Sequence, residues 1–262
     1  MAPAAGSDKQ GELLYGLHAV REALRAESRP LQRLLVQRLD RQFAELVQLA
    51  KASRIPVHVE PSAAFDRLVP AGKHQGVIAF VAAKAYSSLD EMLERARTRE
   101  EPPFLVVLDG VEDPHNLGAI VRTAEAAGVH GLLLPERRAA GLTSVVAKVS
   151  AGALDHMLVG RVVNLARLLE DLKERGLWVY GVEPSGSASY TTIDLTGPIA
   201  LVLGGEGEGI RQGVLKSCDG LMRIPMKGKV ESVNVSAAAA IVLFETVRQR
   251  GRKKPETGPT AP

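Results

Sequence analysis

Short apolar runs alternate with amphipathic stretches over the first third of the chain. Buried strands are short and apolar, whereas surface helices carry apolar positions every three or four residues, so the alternation predicts strands and helices in turn. The predicted helices cover residues 18–26, 43–53 and 65–68, and the predicted strands cover residues 34–36, 57–59 and 77–81. We therefore expect a small α/β domain over residues 12–81.

Polar segments without periodicity flank this domain and predict its limits. Residues 1–11 are small and polar, which is typical of a disordered terminus. Residues 82–88 break the apolar pattern and predict a linker. At the end of this linker, Ser88 is in position to cap a helix over residues 89–97.

Longer apolar strands separated by helices follow, and they predict a second, larger domain over residues 89–250. The strands are predicted at residues 104–108, 132–134, 178–180, 199–203 and 222–224, and the helices at residues 117–127, 165–175 and 234–250. Apolar strands that alternate with helices are typical of a parallel sheet covered on both faces. Residues 251–262 contain a basic run and are expected to form a flexible tail.

The helix predicted over residues 234–250 has almost no polar face in its first half, where four alanines precede Ile241, Val242, Leu243 and Phe244. A helix that is apolar all round must be buried. In a domain of this size, a second copy of the chain is the expected cover, and the core of the domain itself is the alternative.

Composition narrows the classes of function. The single cysteine, Cys218, excludes an internal disulfide and a cysteine-rich zinc site, and we expect it to be a small buried apolar residue. The formal net charge of +3 permits nucleic acid without requiring it. Because only 4% of residues are aromatic, any RNA should be bound mainly through lysine and arginine contacts to its backbone.

The sequence has neither a stretch apolar enough to span a membrane nor the apolar core of a secretory signal. We therefore expect a cytoplasmic protein without a membrane partner.

Three segments combine polar side chains with the end of a predicted strand. The first, residues 108–124, places a polar loop at the carboxyl end of a strand, where parallel sheets bind ligands. The helix that follows is predicted to start near Asn116. Arg122 lies six residues further on, and six residues of helix correspond to a net rotation of about 240°. The two side chains would therefore lie on different faces of the helix, and both reach one cleft only if Asn116 precedes the first turn. Otherwise Asn116 caps the helix and Arg122 is a surface charge.

The second segment, residues 201–210, has four glycines within six positions after an apolar strand. Glycine permits positive φ and close approach of the backbone to a ligand. A dinucleotide fold would place such a loop after its first strand, and Glu206 and Glu208 would repel a pyrophosphate. The loop therefore fits a neutral or cationic ligand such as a sulfonium, unless it is only a turn.

The third segment, residues 224–236, runs from the end of a strand through a loop that contains Gly228 to the start of the last helix. Ser232, Asn234 and Ser236 lie at this start. One of them is expected to cap the helix, which leaves the others available for a ligand.

Together the three segments resemble the motifs of the SpoU (TrmH-type) family, within the SPOUT class of RNA methyltransferases. Asn-Leu-Gly-Ala-Ile-Val-Arg-Thr-Ala is similar to the first motif, Leu-Val-Leu-Gly-Gly-Glu-Gly-Glu-Gly-Ile to the second, and Ile-Pro-Met with Ser-Val-Asn-Val-Ser-Ala-Ala to the third, in the same order. Leu14-Tyr-Gly-Leu-His and His74-Gln-Gly-Val resemble the ribosomal-protein-like substrate domain of the branch that methylates guanosine in 23S ribosomal RNA. The resemblance covers about residues 12–250.

The resemblance implies a C-terminal α/β domain with a deep trefoil knot, S-adenosyl-L-methionine bound in the knot, no metal, and a homodimer formed through the C-terminal helix. It places the catalytic site at Asn116, Arg122, Glu206, Ser232 and Asn234. It places the cofactor, held largely through the backbone, at Leu203, Gly204, Gly205, Ile224, Met226, Val233 and Asn234.

The implied reaction methylates a ribose 2′-OH in ribosomal RNA. Two roles are open for Arg122, because arginine normally keeps its proton: it is either the base that takes the hydroxyl proton or a cation that stabilises the developing alkoxide. Asn116, Ser232 and Asn234 would orient the ribose and its phosphate. Glu206 would fix Arg122 or the glycine loop.

Other hypotheses remain open. They are a catalytically silent RNA-binding or ribosome-assembly protein, a 2′-O-methyltransferase that acts on transfer RNA or on a ribosomal adenosine, and a nucleotide-dependent oxidoreductase. The intact polar residues of the three motifs disfavour the first, and the late position of the glycine loop disfavours the last. His18, His74 and the basic residues 248–254 either contact RNA or are structural.

Overall fold

The computed structural model of the protein describes residues 12–69 and 74–251, which form two compact units. Residues 12–69, residues 74–85 and Leu142–His156 belong to the first unit, and Tyr86–Gly141 and residues 157–251 belong to the second. The predicted disordered start, and the tail beyond residue 251 with most of its basic run, lie outside the described residues.

The first unit contains a four-stranded sheet. Its elements before residue 86 are β1 (Glu12–Tyr15), α1 (Leu17–Ala26), β2 (Leu31–Val36), α2 (Ala44–Ala52), β3 (Val57–Val59), α3 (Ser62–Leu68) and β4 (Val77–Val81). The strand order is β1-β4-β2-β3, with β4 antiparallel to both of its neighbours and β2 parallel to β3. The three predicted helices and three predicted strands are all present, and β1 is an additional edge strand.

The two N-terminal sequence motifs meet in one hydrogen-bonded turn. Gln75 Oε1 accepts the N–H of Leu17 at 2.9 Å and so caps the start of α1. His74 is buried, and its Nδ1 accepts the N–H of Gly76 at 3.0 Å. His74 therefore has a structural role, whereas His18 is exposed.

From residue 86 onward the chain forms a larger set of elements. They are α4 (Leu89–Thr98), β5 (Phe104–Asp109), α5 (Pro114–Ala126), β6 (Gly131–Pro135), α6 (Ser144–Val149), α7 (Ala153–His156), β7 (Val159–Val162), α8 (Leu165–Glu174), β8 (Trp178–Val182), β9 (Ala188–Ser189), β10 (Ile199–Gly204), α9 (Gln212–Leu215), β11 (Gly220–Arg223) and α10 (Val235–Gly251). Except for α6 and α7, which belong to the first unit, these elements form the second unit.

The second unit is built on a seven-stranded parallel sheet with the order β7-β6-β5-β10-β8-β11-β9. This confirms the predicted parallel sheet. Strand β5, which lies inside the sheet between β6 and β10, is buried along its whole length. Side chains of α4, α8 and α9 pack in a core on one face, and α10 packs against both α5 and β10. The trefoil knot stays a prediction.

Local signals fix several helix ends. Ser88 Oγ accepts the N–H of Glu91, and the Glu91 carboxylate accepts the N–H of Ser88, which confirms the predicted cap of α4 as a capping box. Gly128 follows the C-cap of α5 with φ of +74°, the left-handed conformation that commonly ends a helix.

Helix α10 is only partly covered within one chain. Its buried positions are Val235, Ala239, Val242, Leu243, Glu245 and Thr246. Phe244 and Val247 remain exposed, at 48% and 38%. The core of the unit therefore covers one side of the helix and leaves part of the apolar surface open.

Two of the cations considered for RNA binding are engaged within the chain. Arg250 donates hydrogen bonds to the carbonyl oxygens of Pro102 and Gly197, at 2.8 and 2.7 Å, and burial lowers its pKa. Arg248 pairs with Glu245 one turn earlier in α10. Arg248 therefore has a contact within α10, and Arg250 joins α10 to the loops that precede β5 and β10.

Cys218 packs half-buried against the core of the second unit, and burial raises the pKa of its thiol to about 11. The thiol therefore stays protonated at neutral pH. Within residues 12–69 and 74–251, no cluster of histidine, cysteine, aspartate and glutamate could hold a metal ion. None of the helices in those ranges is long and apolar enough to cross a bilayer.

A buried ion pair holds Leu142–His156 in the first unit. Arg29 Nε lies 2.8 Å from Asp155 Oδ1, and Arg29 Nη2 donates to Asp155 Oδ2 at 3.1 Å. The two side chains are only 3% and 0% exposed. Ser28 Oγ and Lys84 Nζ add hydrogen bonds to the carboxylate and the carbonyl of Asp155. A segment that follows β6 and precedes β7 thus folds with the N-terminal residues.

Asp155→Asn is expected to lower the free energy of unfolding of the first unit by about 3 kcal/mol, because the buried Arg29 guanidinium loses its nearest counter-charge and keeps only the more exposed Glu12, whose carboxylate lies 3.7 Å away. Urea unfolding followed by circular dichroism measures this loss. Glu45→Gln is the control, since Glu45 forms exposed ion pairs with Arg21 and Arg25 in the same unit and should cost less than about 1 kcal/mol. Equal losses for the two variants would contradict the anchoring role.

Candidate active site

Three loops meet at the carboxyl edge of the parallel sheet. Residues 110–113 follow β5, residues 205–211 follow β10, and residues 224–234 follow β11. The carboxyl ends of parallel strands lie at one edge of a sheet, which is where such sheets bind ligands. The three motif segments thus contribute their polar residues to the same edge.

Asn116, Glu206 and Asn234 form a hydrogen-bonded cluster at this edge. Asn116 Nδ2 donates to Glu206 Oε1 at 2.5 Å. Asn234 Nδ2 donates to Glu206 Oε1 and to Asn116 Oδ1, at 3.0 Å each. Each residue comes from a different motif segment, so the cluster ties the three segments together.

Asn116 does not cap its helix, and it does not precede the first turn. Helix α5 begins at Pro114, and Asp113 Oδ1 accepts the N–H of His115 at 3.0 Å as the N-cap. Proline suits the first helical position because that position needs no N–H donor. The expectation that Asn116 caps or precedes the helix is therefore wrong. Asn116 lies within the first turn, is 8% exposed and is bonded to Glu206.

Asn234 has the capping role that one polar residue at the start of α10 was expected to have. Its Oδ1 accepts the N–H of Ser236 at 2.8 Å and the Ser236 hydroxyl at 2.6 Å. Because the oxygen of the Asn234 amide is used in the cap, its nitrogen is directed to Glu206 and Asn116. The cap and the cluster thus fix the same side chain from both ends.

Arg122 is not brought to the cluster within a single chain. It lies on α5 six residues after Asn116, about 240° around the helix. Its side chain is exposed, and it forms no hydrogen bond or ion pair with any residue of 12–69 and 74–251. The expected contact between Arg122 and Glu206 is absent from this part of the chain, since Glu206 contacts the two asparagines instead.

Two acidic residues that the sequence analysis did not select hold the glycine loop in place. Asp109, fully buried at the end of β5, accepts the Arg211 backbone N–H at 2.9 Å and the Arg211 Nε–H at 2.8 Å. Glu183, which follows β8, accepts the N–H of Ile210 at 2.6 Å. Both acids stand at the carboxyl end of a predicted strand, and this position is the signal that could have revealed them.

Glycine is required in the loop after β10 for two different physical reasons. A Cβ on Gly205 would lie 1.8 Å from the carbonyl oxygen of Gly110, and a Cβ on Gly204 would lie 2.1 Å from the carbonyl carbon of Gly209. Gly207 and Gly209 have φ of +87° and +63°, which L side chains rarely adopt. Close backbone packing therefore requires the first two glycines, and backbone conformation favours the last two.

A cavity of about 560 Å³, the large cavity, lies between the glycine loop and the loop after β11. Every residue expected to hold the cofactor lines it: Leu203, Gly204, Gly205, Ile224, Met226, Val233 and Asn234. Ser232 lines it as well and is exposed. Backbone and apolar side chains form much of the wall and suit an adenosine, while Glu183, Glu206 and Glu231 suit cationic groups. The residues present therefore fit S-adenosylmethionine.

A second cavity of about 430 Å³, the small cavity, lies beside the loop after β5. Asp109, Glu112, Asn116, Arg138 and Arg211 are among its lining residues. The glycine loop borders both cavities, and so does Glu206. The hydrogen-bonded cluster thus stands on the boundary between the two spaces, with Asn116 lining the small cavity and Asn234 the large one.

Family models match both parts of the chain. The SpoU rRNA Methylase family matches residues 103–244, and the RNA 2′-O ribose methyltransferase substrate binding family matches residues 13–87. YacO of Bacillus subtilis, which is assigned to the TrmH family of tRNA/rRNA methyltransferases, is 43% identical over 92% of this chain and 97% of its own length.

Solved structures share the fold. The SpoU methyltransferase AviRb of Streptomyces viridochromogenes, in complex with AdoMet, matches 92% of this chain and 90% of its own with a TM-score of 0.77 at 26% identity. An AdoMet-bound rRNA methyltransferase of Sinorhizobium meliloti matches 91% of this chain and 87% of its own, with a TM-score of 0.75 at 26% identity.

Gly205→Ala is expected to weaken binding of S-adenosylmethionine by at least about tenfold, because the added methyl group would displace the glycine loop from the Gly110 carbonyl. Isothermal titration calorimetry measures this change. Gly213→Ala is the matched control, since a Cβ at Gly213 meets no atom within 4 Å. Similar affinities for both variants and the wild type would show that the close packing at Gly205 is not needed for the cofactor.

The parallel sheet, the three motif loops at its carboxyl edge and the fit of the large cavity agree with both family models. The seven-stranded sheet and the smaller N-terminal α/β unit together form the architecture of SPOUT methyltransferases. The chain belongs to the SpoU (TrmH) family of RNA 2′-O ribose methyltransferases and takes its methyl group from S-adenosylmethionine.

Proposed function

We propose that the protein methylates the 2′-OH of a guanosine in 23S ribosomal RNA. The observation that most supports methyl transfer to a ribose is the Asn116–Glu206–Asn234 cluster, which borders both the cavity that fits the cofactor and a second polar cavity. The family model over residues 103–244 is one of rRNA methylases, and the N-terminal motifs resemble the branch that acts on guanosine. Several relatives carry the wider designation tRNA/rRNA methyltransferase, so transfer RNA is the principal alternative.

The cluster has a positioning role in this proposal. Methyl transfer needs the ribose 2′-oxygen in line with the methyl group and opposite the departing sulfur, and such alignment supplies much of the rate. S-adenosylmethionine supplies an electrophilic methyl group when bound. Asn116, Asn234 and Ser232 orient the ribose and its phosphate. Glu206 fixes the two asparagine amides, since one of its oxygens accepts a hydrogen bond from each.

Arg122 acts in this proposal as a cation that stabilises charge as it develops on the 2′-oxygen. Arginine keeps its proton, so the hydroxyl proton leaves to solvent as the new O–C bond forms and the C–S bond breaks. This role requires Arg122 to lie near the ribose, and a single chain does not place it there.

A homodimer would supply the missing contact. Ala237, Phe244 and Val247 leave an apolar strip exposed along α10, and α10 packs against α5, which carries Arg122. We propose that a second copy covers this strip and that Arg122 of each copy serves the site of the other. The apolar character of α10 supports this arrangement, because exposed apolar surface of this kind is typical of subunit interfaces.

Arg122→Ala is expected to abolish methylation while leaving S-adenosylmethionine affinity within about twofold, because its proposed role is in the transition state.

Mixing the Arg122→Ala variant with a Glu206→Gln variant then tests whether Arg122 of one copy acts in the site of the other copy. If Arg122 acts on the other copy, random heterodimers restore about a quarter of wild-type activity, since half of the dimers each contain one intact site. Activity is measured by transfer of radiolabelled methyl groups to RNA.

Glu125→Ala, an exposed position on the same helix, controls for general damage to α5. No recovery on mixing, with both variants dimeric in analytical ultracentrifugation, would place Arg122 in its own chain's site. A stable monomer at micromolar concentration would contradict the dimer itself.

The substrate is tested by methylating separated, unmodified 23S, 16S and transfer RNAs and analysing the nucleosides by mass spectrometry. The expected product is 2′-O-methylguanosine in 23S RNA, because the N-terminal resemblance points to that branch and the few aromatic residues favour a folded RNA recognised by shape and backbone. Faster transfer to transfer RNA, or 2′-O-methyladenosine as the product, would contradict the assignment. Cofactor binding without transfer to any RNA would favour a catalytically silent protein.

A further inference from the structure

One face of the N-terminal sheet carries a row of side chains that helix α3 leaves partly open. The strand register places Leu13, Phe80 and Arg33 side by side on β1, β4 and β2. In the neighbouring row, Ile78 and Leu35 are buried in a cluster with α3. Leu13 and Phe80 are only partly buried and Arg33 is exposed, so the row of these three residues, the open row, is accessible to a partner.

Arg33 lies over an aromatic ring of the open row. Its Cζ is 3.9 Å from the centre of the Phe80 ring, close enough for a cation–π contact. The guanidinium forms no hydrogen bond or ion pair with any residue of 12–69 and 74–251. Phe80 therefore restricts a charged group whose N–H donors are not used within this part of the chain.

A second cation lies over a ring on the same face. Tyr15 is two residues after Leu13 on β1 and so shares its face, and Lys148 Nζ of α6 lies 4.8 Å from the centre of the Tyr15 ring. Among the described strand residues on this face, none is acidic. The face thus carries two cation–aromatic pairs, and one of them belongs to the open row.

Two acidic residues near the same end of the sheet are engaged elsewhere. Glu12 alternates with Leu13 and so belongs to the opposite face, and its carboxylate lies 3.7 Å from Arg29. Glu27 accepts the Ser53 hydroxyl at 3.3 Å. The charge that the open row presents is therefore positive.

RNA is the partner that this surface fits. The open row lies within residues 13–87, which match the RNA 2′-O ribose methyltransferase substrate binding family. Its exposed donor is a cation, which complements the phosphodiester backbone. Because cations already lie over both rings, the surface favours contacts to phosphate over direct stacking of bases on the rings.

We infer that the open row binds a backbone phosphate of the RNA, with Arg33 as the contacting residue and Phe80 as the residue that keeps it in position. The planar guanidinium matches a phosphate with two parallel hydrogen bonds. Because the Phe80 ring already restricts the Arg33 side chain, binding costs less side-chain entropy than it would for an unrestricted arginine. The contact is independent of the base. The inference deepens the proposed function and rests only on RNA being the substrate.

The test compares Arg33→Ala with Arg41→Ala. Arg41 is also exposed, forms no ion pair with any residue of 12–69 and 74–251, and follows the opposite end of β2. The probe is unmodified 23S RNA transcribed in vitro, and its affinity is measured by filter binding over a range of salt concentrations. Arg33→Ala is expected to weaken RNA binding about fivefold and to lower the slope of log affinity against log salt by about one unit, as loss of a phosphate contact does. Arg41→Ala should weaken binding by less than about twofold, because salt screens a charge that makes no direct contact.

Phe80→Leu separates the effect of the ring from the effect of the charge. Leucine keeps an apolar side chain on the sheet and removes the cation–π contact. RNA binding should weaken by about two- to threefold with the salt slope of the wild type, because Arg33 still reaches the phosphate. Arg33→Lys should restore only part of the loss seen with alanine, since lysine lacks the planar fork. Arg33→Ala alters only an exposed side chain, so its comparison with Arg41→Ala does not depend on how well the Phe80 variant folds.

Kinetic measurements separate this role from one in the cofactor site. Arg33→Ala should raise the KM for RNA and leave both kcat and S-adenosylmethionine affinity within about twofold, because the large cavity belongs to the second unit. Equal affinities and salt slopes for the two alanine variants would overturn the inference. Weaker binding at an unchanged slope would also overturn it, since the contact would then not be to a phosphate.

The same comparison with a transfer RNA transcript separates this inference from the proposed substrate. If transfer RNA is the substrate, the wild type should bind it more tightly than 23S RNA, and the difference between the two alanine variants should appear on transfer RNA. Because binding is read without turnover, failure of the proposed reaction leaves the comparison intact.

Discussion

The arrangement of the site depends on one carboxylate oxygen. Oε1 of Glu206 accepts hydrogen bonds from the side-chain amides of Asn116 and Asn234, and these residues stand at the starts of α5 and α10. Glu206 itself is carried by a loop whose backbone is fixed by the buried Asp109 and by Glu183. A small displacement of that oxygen would therefore alter two helix starts and the wall between two cavities. Such coupling is typical of sites in which each polar group depends on its neighbours for orientation.

Much of the fold could be predicted because its signals are local. The strands over residues 57–59 and 77–81 match the predicted bounds, since Pro56 marks the start of the first and the second is a continuous apolar run. Ser88 and Glu91 form a capping box within four consecutive residues, so the start of α4 could be predicted from sequence. The parallel sheet followed in the same way from repeated strand and helix patterns.

The remainder depends on short elements or on contacts between distant residues. Helices α6 and α7 have six and four residues, too few for a helical period to be visible. Their membership of the first unit depends on packing against α1 and β1, which lie far earlier in the chain, and on contacts such as the Arg29–Asp155 pair, whose residues are 126 positions apart. At the site, the motif segments indicated which residues matter, but Asp113 and Pro114 gave a stronger helix-start signal than Asn116 and were overlooked.

The chain passes between its two units three times, near residues 85, 141 and 156. A protein with a single linker can lose or exchange its N-terminal domain by one cut, as many modular enzymes do. Here a cut at the linker would leave α6 and α7 behind without the sheet and helices against which they fold, and Asp155 would lose its arginine. Exchange of the RNA-binding unit between relatives therefore requires two separate stretches of sequence to change together. Substrate recognition and catalysis are therefore harder to recombine between relatives than they would be if the two units were consecutive domains.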